Sequence, residues 1–363
     1  MRLDFTSALY LGLEHASWSL PPWAALTSGK PAALCEPAGA RAVASQLAAL
    51  QGCESAVLGA STLHLFWELF SLADAARVAI YLDDGAYPIA RWGVERAAAR
   101  GARVRLFAHH DAEALRRQLR RDEGGGTRPM VVADGFCPSC GGPAPLAAYL
   151  DCARAYGGCL VIDDTQALGV FGRGRGDGAP YGSGGGGSLR WHDVGGADVL
   201  VISSLAKGFG VPVAVLSGGA AAIRGFTTRS ETRVHTSPPS AAVVAAAARA
   251  LAINHACGDE LRRRLAGLVG RLRARLAAAG LTARGGYFPV QMLELPAAGG
   301  AAELHRELQR AGMLTVLHGD GHGRDARLSL LLTARHRRSE IDRAADALAQ
   351  AVAGHGLELV TRR

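Results

Sequence analysis

Short apolar runs alternate along this chain with stretches whose apolar residues recur every three to four positions. The runs are Val78–Leu82, Val104–Phe107, Met130–Ala133, Leu160–Ile162, Val199–Ile202 and Val213–Leu216, and each predicts a buried strand. Between and before them, Ile89–Arg100, Ala112–Arg121 and Arg41–Leu50 predict helices, the last with Val43, Leu47 and Leu50 on one face. Such alternation implies an α/β architecture: a mainly parallel sheet, helices on both faces, and ligands at the C-terminal edge of the strands. Trp18–Pro31, with Pro21-Pro22 and Ser28-Gly29, reads as an extended crossing segment. Further on, Leu261, Leu265, Leu268, Leu272 and Leu276 mark a long amphipathic helix. Tyr287–Leu295 and Leu328–Leu332 are strand-like, and Ser339-Glu-Ile-Asp342 caps a last helix through Ala353. The expected division is an N-terminal segment 1–30, a large domain 31–248 and a smaller C-terminal α+β domain 249–363.

Composition narrows the class. At 363 residues, 49% apolar and 20% charged, the chain can bury a large core and is globular. No run of about 18 apolar, charge-free residues occurs, which speaks against a membrane span. The opening Met-Arg-Leu-Asp-Phe-Thr-Ser lacks the apolar stretch of a secretion signal, so a cytoplasmic protein is expected. The formal charge of +8 raises nucleic-acid binding, yet the arginines are spread over helix-like segments such as Leu261-Arg-Arg-Arg-Leu265 and no nucleic-acid motif accompanies them. Attraction of anionic substrates is the better use of that charge. Seven cysteines, an odd number, do not suggest a disulfide framework. Cys137-Pro-Ser-Cys140, followed by Cys152 and Cys159, raises a zinc site or a redox pair. The second pair lacks the tight spacing and Cys159 opens a strand, so buried or loop thiols, and no metal, are the expectation.

Candidate chemistry sits at two strand ends. Asp198-Val-Leu-Val-Ile-Ser-Ser204-Leu-Ala-Lys207-Gly-Phe-Gly210 is an apolar strand that breaks at two serines and presents a lysine before a flexible turn. The chain has only two lysines, Lys30 and Lys207. Schiff-base chemistry needs an amine that can lose its proton, which arginine cannot supply, so Lys207 is the candidate. Cys159-Leu-Val-Ile-Asp163-Asp164-Thr-Gln166-Ala-Leu-Gly169 is a second buried strand ending in carboxylates, and a carboxylate there can hold a pyridinium nitrogen protonated. In Gly59-Ala-Ser61-Thr62 a short strand enters a helix through small residues. Its free N–H groups and two hydroxyls form either a phosphate cradle or an ordinary N-cap.

The two strand ends resemble the fold-type I enzymes of pyridoxal phosphate, and more narrowly the α-oxoamine synthase family. That family has Asp-Asp/Glu-Ala-His-x-x-Gly after one strand and Thr/Ser-x-x-Lys-Gly/Ala-Phe/Leu-Gly after another. Leu3-Asp-Phe-Thr-Ser-Ala-Leu-Tyr-Leu-Gly-Leu13, Ala144-Pro145-Leu146 and the ending Leu332-Thr-Ala-Arg-His-Arg-Arg-Ser-Glu-Ile-Asp342 are similar to further family segments. The resemblance implies pyridoxal 5'-phosphate as cofactor, with Lys207 as the Schiff-base lysine, Asp163 on the ring nitrogen and Ser204 as a phosphate-binding hydroxyl. It places Ser61 and Thr62 at the phosphate turn, Asp134 at a glutamate position of the cofactor loop, and Tyr87 and Gln166 at positions where the family has histidines. A tyrosine ring can still stack on the cofactor, and an amide can still donate to its phenolic oxygen. In His235-Thr236-Ser-Pro-Pro239 the threonine aligns with a residue that reaches the phosphate of a neighbouring subunit, which implies a homodimer; a plain helix start is the alternative.

The implied reaction is condensation of an amino acid with an acyl thioester, carried on coenzyme A or a carrier protein, to an α-amino ketone. Tyr87 and Gln166 for histidines, and no arginine aligned with the family's substrate-carboxylate position (Arg324 stands nearest), suggest a changed substrate and a role in specialised biosynthesis. An aminotransferase needs the same Lys207 and Asp163 and is the alternative; a non-catalytic relic of the fold is a third reading. Ala179–Gly196, with Gly184-Gly-Gly-Gly187, is expected to be a mobile surface loop.

Overall fold

The computed structural model describes residues 2–174, 176, 179–295, 300–319 and 326–354. Its centre is a seven-stranded sheet built, in chain order, from β1 (Ser55–Gly59), β2 (Val78–Asp83), β3 (Arg103–Phe107), β4 (Arg128–Asp134), β5 (Cys159–Asp163), β6 (Val199–Ser204) and β7 (Ala214–Gly218). The spatial order is β1-β7-β6-β5-β4-β2-β3. Strands β2 to β6 pair in parallel, whereas β7 runs antiparallel to both β6 and β1. The sheet is therefore mixed at one side, because β6 reaches β7 through a short turn and a parallel return needs a crossover of a dozen or more residues.

Alternate residues of each strand feed opposite layers, as the pleat requires. Ile80, Leu82, Val132, Val161 and Ile202 pack on one face under the helices Thr62–Ser71, Pro88–Ala99 and Ala220–Arg229. Ala79, Tyr81, Val131, Leu160 and Val201 pack on the other under Ala112–Arg121 and Leu146–Arg154.

A second, four-stranded sheet is antiparallel: β8 (Thr282–Arg284), β9 (Val290–Glu294), β10 (Val316–His318) and β11 (Arg327–Leu331), in the order β8-β9-β11-β10. The 38-residue helix Ala241–Ala278 joins the two parts. It is long and apolar enough to cross a membrane by length and composition, but its stripe is spent on two cores. Val244, Ala247 and Leu251 pack with the large domain, while Leu265, Leu268, Leu272 and Leu276 pack with the small one. The expected 248/249 boundary thus lies inside an unbroken helix whose partners change between Leu251 and Leu265. The N-terminus joins the small domain, since Leu3 and Asp4 pair in parallel with Met313 and Leu314.

The glycine-rich run is not a mobile surface loop. Gly185, Gly186 and Gly187 are buried, Gly169 N–H donates to Gly185 O, and Gly187 N–H donates to Phe171 O. A Cβ on Gly185, which has φ of +74°, would collide with the Arg262 guanidinium and the Gly169 carbonyl. Arg262 is itself buried and donates to Gly169 O and Asn254 Oδ1, both at 2.8 Å. Glycine is needed there for close approach, not for mobility.

Candidate active site

The sheet register brings the chemistry to one edge. Ala214 lies opposite both Gly59 and Ser204, and Asp163 lies opposite both Ile202 and Asp134. The phosphate-type turn after β1, the serine and lysine after β6 and the carboxylates ending β4 and β5 therefore share the C-terminal edge. This is where an open α/β sheet presents its ligands.

Lys207 is half-buried on the turn after β6, with Nζ 5.9 Å from the centroid of the Tyr87 ring. Burial pushes its ammonium below the ordinary lysine value, against the opposing pull of Asp163 and Asp134. Both carboxylates are buried, and burial lifts both above the usual carboxylate range, Asp134 further because Asp163 stands beside it. The Thr165 N–H donates to Asp163 Oδ1 at 3.0 Å, and Lys207 also pulls Asp163 down. The Tyr87 N–H donates to Asp134 Oδ1 at 3.1 Å, so the second carboxylate positions the residue whose ring faces the lysine. The cluster has two buried acids and one ammonium, which leaves room for another positive charge. A protonated ring nitrogen suits that room, and an amine whose burial makes its proton easier to lose suits Schiff-base formation.

Sequence reasoning missed Thr165 and Tyr10. The Thr165 hydroxyl accepts the Ser204 N–H at 3.0 Å and so ties the ends of β5 and β6 together. Ser204 Oγ accepts the Ala206 N–H at 3.2 Å. The buried Tyr10 hydroxyl donates to Gln166 Oε1 at 2.7 Å, committing the amide oxygen and leaving the NH2 as the end of the side chain that can donate. The Asp-Thr and Leu-Tyr-Leu-Gly contexts hold no local signal for either contact, which spans 156 residues in the case of Tyr10.

At the other end of the edge, Ser61 is the N-cap of the helix Thr62–Ser71. Its oxygen meets the His64 N–H at 3.4 Å and His64 Nδ1 at 2.8 Å, with Thr62 opening the helix. Capping and anion binding use the same helix end, so the structure keeps both sequence readings. Thr236 is placed apart from the lysine cluster. Its hydroxyl donates to Thr232 O at 2.6 Å and its carbonyl accepts the Ala32 N–H at 2.9 Å, so its described bonds run to its own helix and to the N-terminal stretch. A buried carboxylate missed in the sequence connects this region to the helix Thr62–Ser71: Glu68 accepts the Glu231 and Thr232 N–H groups at 2.9 and 3.0 Å. Arg324 lies outside the described residues.

Next to Asp134, a separate group of side chains gathers around Asp83. Its carboxylate meets His109 Nδ1 at 2.6 Å and accepts from Gly85 N–H, His110 N–H and the Tyr149 hydroxyl. Cys137 and Cys140 lie beside these histidines, and a hydrogen bond from Cys137 pushes the Cys140 thiol down to about 6.

Residues 28–348 match the family described as aminotransferase class I and II. The chain is 32% identical over 259 residues to an 8-amino-7-oxononanoate synthase of Alkalilimnicola ehrlichii, a match covering 69% of this chain and 61% of that relative. The chain thus spans about three fifths of the length of the curated relatives it matches. Its structure superposes on a serine palmitoyltransferase from S. paucimobilis, described with a bound PLP–myriocin aldimine, at a TM-score of 0.85 and 17% identity, covering 98% of this chain and 89% of that one. On the 8-amino-7-oxononanoate synthase of Francisella tularensis the TM-score is 0.76 at 17% identity, covering 98% and 99%.

Proposed function

Since the chain belongs to the aminotransferase class I and II family, we propose that it is a pyridoxal 5'-phosphate-dependent transferase that joins an amino acid to an acyl thioester by forming a carbon–carbon bond. The observation that carries this reading is Lys207 beside buried Asp163 and Asp134 under the Tyr87 ring, at the edge where the strands end. The 8-amino-7-oxononanoate synthase relatives point to the same reaction class. Bound there, the cofactor supplies an electron sink for a carbanion at the amino acid's Cα.

The chain's own residues divide the remaining work. Lys207 holds the cofactor and, when released from it, takes the Cα proton, a role suited to an amine whose burial favours the neutral form. Asp163 keeps the ring nitrogen protonated. Tyr87 would cover the ring, and the Gln166 NH2 would be the group able to donate to its phenolic oxygen. The helix end at Ser61 and Thr62, with Ser204, receives the phosphate, and Thr236 serves the phosphate of a second copy in a homodimer. The amino acid, the acyl group and its carrier, coenzyme A or a carrier protein, belong to specialised biosynthesis, because the departures from the family remove substrate-handling histidines while sparing the cofactor residues.

Tyr87 also favours a second reading. A stacking aromatic beside the lysine suits an aminotransferase, which needs no thioester. Purified protein loaded with cofactor, with Lys207→Ala beside it, separates the two. Candidate amino acids are titrated with and without acyl-coenzyme A while absorbance and free coenzyme A are followed. Release of coenzyme A only when both substrates are present, abolished in Lys207→Ala, supports condensation. Conversion to pyridoxamine phosphate on amino acid alone makes the protein an aminotransferase. A wild-type chain that develops no cofactor band with added pyridoxal phosphate is the non-catalytic relic.

A further inference from the structure

We propose that His109, His110 and Cys140 form a binding site for a zinc-type divalent cation beside, and separate from, the Lys207 site, with Cys137 in reserve as a fourth donor. His109 Nε2 lies 3.4 Å and His110 Nδ1 3.7 Å from Cys140 Sγ, and the three ligand atoms fall within 4.8 Å of one another. Around a tetrahedral zinc with ordinary Zn–N and Zn–S bonds, a nitrogen and a sulfur stand about 3.6 Å apart. The two observed nitrogen–sulfur spacings bracket that value, so these three donors already stand at ligand-to-ligand distances. The three atoms supply three donors; the Cys137 thiol, buried nearby in the same hairpin, stands outside that group and would have to turn inward to serve as a fourth, a place a water can otherwise take. The strands Phe136–Cys137 and Gly142–Pro143 pair to form a tight hairpin, whose turn donates Gly141 N–H to Cys137 O at 2.9 Å. That hairpin brings Cys140 to the histidines.

Two features of the surroundings point to a ligand. His109 is held through Nδ1 by Asp83 at 2.6 Å, and a carboxylate on the far nitrogen is the usual way a metal-binding imidazole is oriented. Asp83 is itself fixed by the Tyr149 hydroxyl and the N–H groups of Gly85 and His110. His110 stands in the left-handed region with φ of +58°, anchored by that N–H, with its ring stacked on His109 at 3.7 Å. Its Nδ1, the nitrogen turned to the cluster, meets the Cys140 sulfur at 3.7 Å. Nitrogen and sulfur donors in this combination select a borderline-soft cation such as zinc over magnesium or calcium. Cys152, which the sequence grouped with this pair, lies elsewhere, against the Ala112 carbonyl.

Bound there, the cation would join the loop after β3 to the loop after β4. Through Asp83 it would also stiffen the turn leading to Tyr87. The experiment uses the full chain with cofactor, free of affinity tags, reduced, equilibrated with zinc chloride and then passed into metal-free buffer. The expected result is about one zinc per chain, with cobalt uptake giving the ligand-field bands of a tetrahedral thiolate site. Cys140→Ser and His109→Gln should lose the metal while keeping cofactor absorbance, Asp83→Asn should weaken affinity about 10–100-fold, and Cys257→Ser should change nothing. A reduced wild-type chain that retains neither metal, or that yields only a Cys137–Cys140 disulfide, overturns the proposal, as does full metal content in Cys140→Ser. If the variants do not fold, the wild-type cobalt spectrum decides: bands of a six-coordinate oxygen–nitrogen site overturn it.

Discussion

Asp163 and Asp164 are neighbours in sequence but point to opposite sides of the end of β5 and meet different surroundings. Asp163 stands with Lys207, whereas Asp164 is wholly buried and accepts the Ser188 N–H at 3.0 and 3.3 Å. Burial is the largest influence on Asp164 and lifts it to about 7, against the pull of Ser188. A carboxyl raised on folding stabilises fully below its unfolded value near 4, and that contribution is lost as pH rises through the folded value. Asp164 therefore costs the fold up to about 4 kcal/mol between pH 4 and neutrality. Asp164→Asn keeps an acceptor for Ser188 and cannot ionise, so its stability relative to wild type should rise with pH across that window. Urea midpoints of both proteins at several pH values between 5 and 8 measure this, and a constant difference would refute it. At this scale the sequence showed what is chemically rare: one lysine at a strand end, and one carboxylate ending the strand beside it. It could not show that Tyr10 orients Gln166 or that Thr165 braces Ser204, because those bonds exist only once the sheet edge is assembled.

Elements of the sheet were legible where alternation carries the information, and their directions were not. Val213–Leu216 looks like any other buried run, yet β7 is antiparallel; the short stretch from Ser204 to Ala214, with no helical period in it, was the available signal. Composition misled at Gly184–Gly187, since glycine marks flexible linkers and close backbone contacts alike. The contact that distinguishes them is made by Arg262, from the middle of the helix Ala241–Ala278. Arg262→Leu would leave Gly169 O and Asn254 Oδ1 buried and without their donor, a loss of about 2–4 kcal/mol. The ion pair to half-exposed Asp259 adds little to this. Arg263→Leu, on the exposed side of the same turn, should stay within about 0.5 kcal/mol of wild type. Equal effects in chemical denaturation would mean that the guanidinium does not hold the glycine turn.

For the whole molecule, the N-terminal segment links regions that the sequence treats as separate. Leu3 and Asp4 pair with Met313 and Leu314, a contact across some 310 positions that no local pattern announces. The segment then continues past the large domain with Trp18 88%, Leu34 78% and Leu26 52% exposed. Large apolar side chains gathered on one extended stretch are costly to leave in water and mark an association surface. Arg233 and Ala32 bond this stretch to the region of Thr236, the residue proposed to serve the phosphate of a second copy. Light scattering should therefore give twice the chain mass. Trp18→Ser combined with Leu34→Ser should shift the protein toward monomer, with cofactor retention falling at the same protein concentrations at which the dimer dissociates. A monomeric wild type that holds its cofactor fully would remove both the homodimer and the role of Thr236. A dimer that the double substitution leaves intact would place the interface on another face. Coupled loss of mass and cofactor is the outcome that joins them, because a site completed from two chains cannot keep its phosphate when they part.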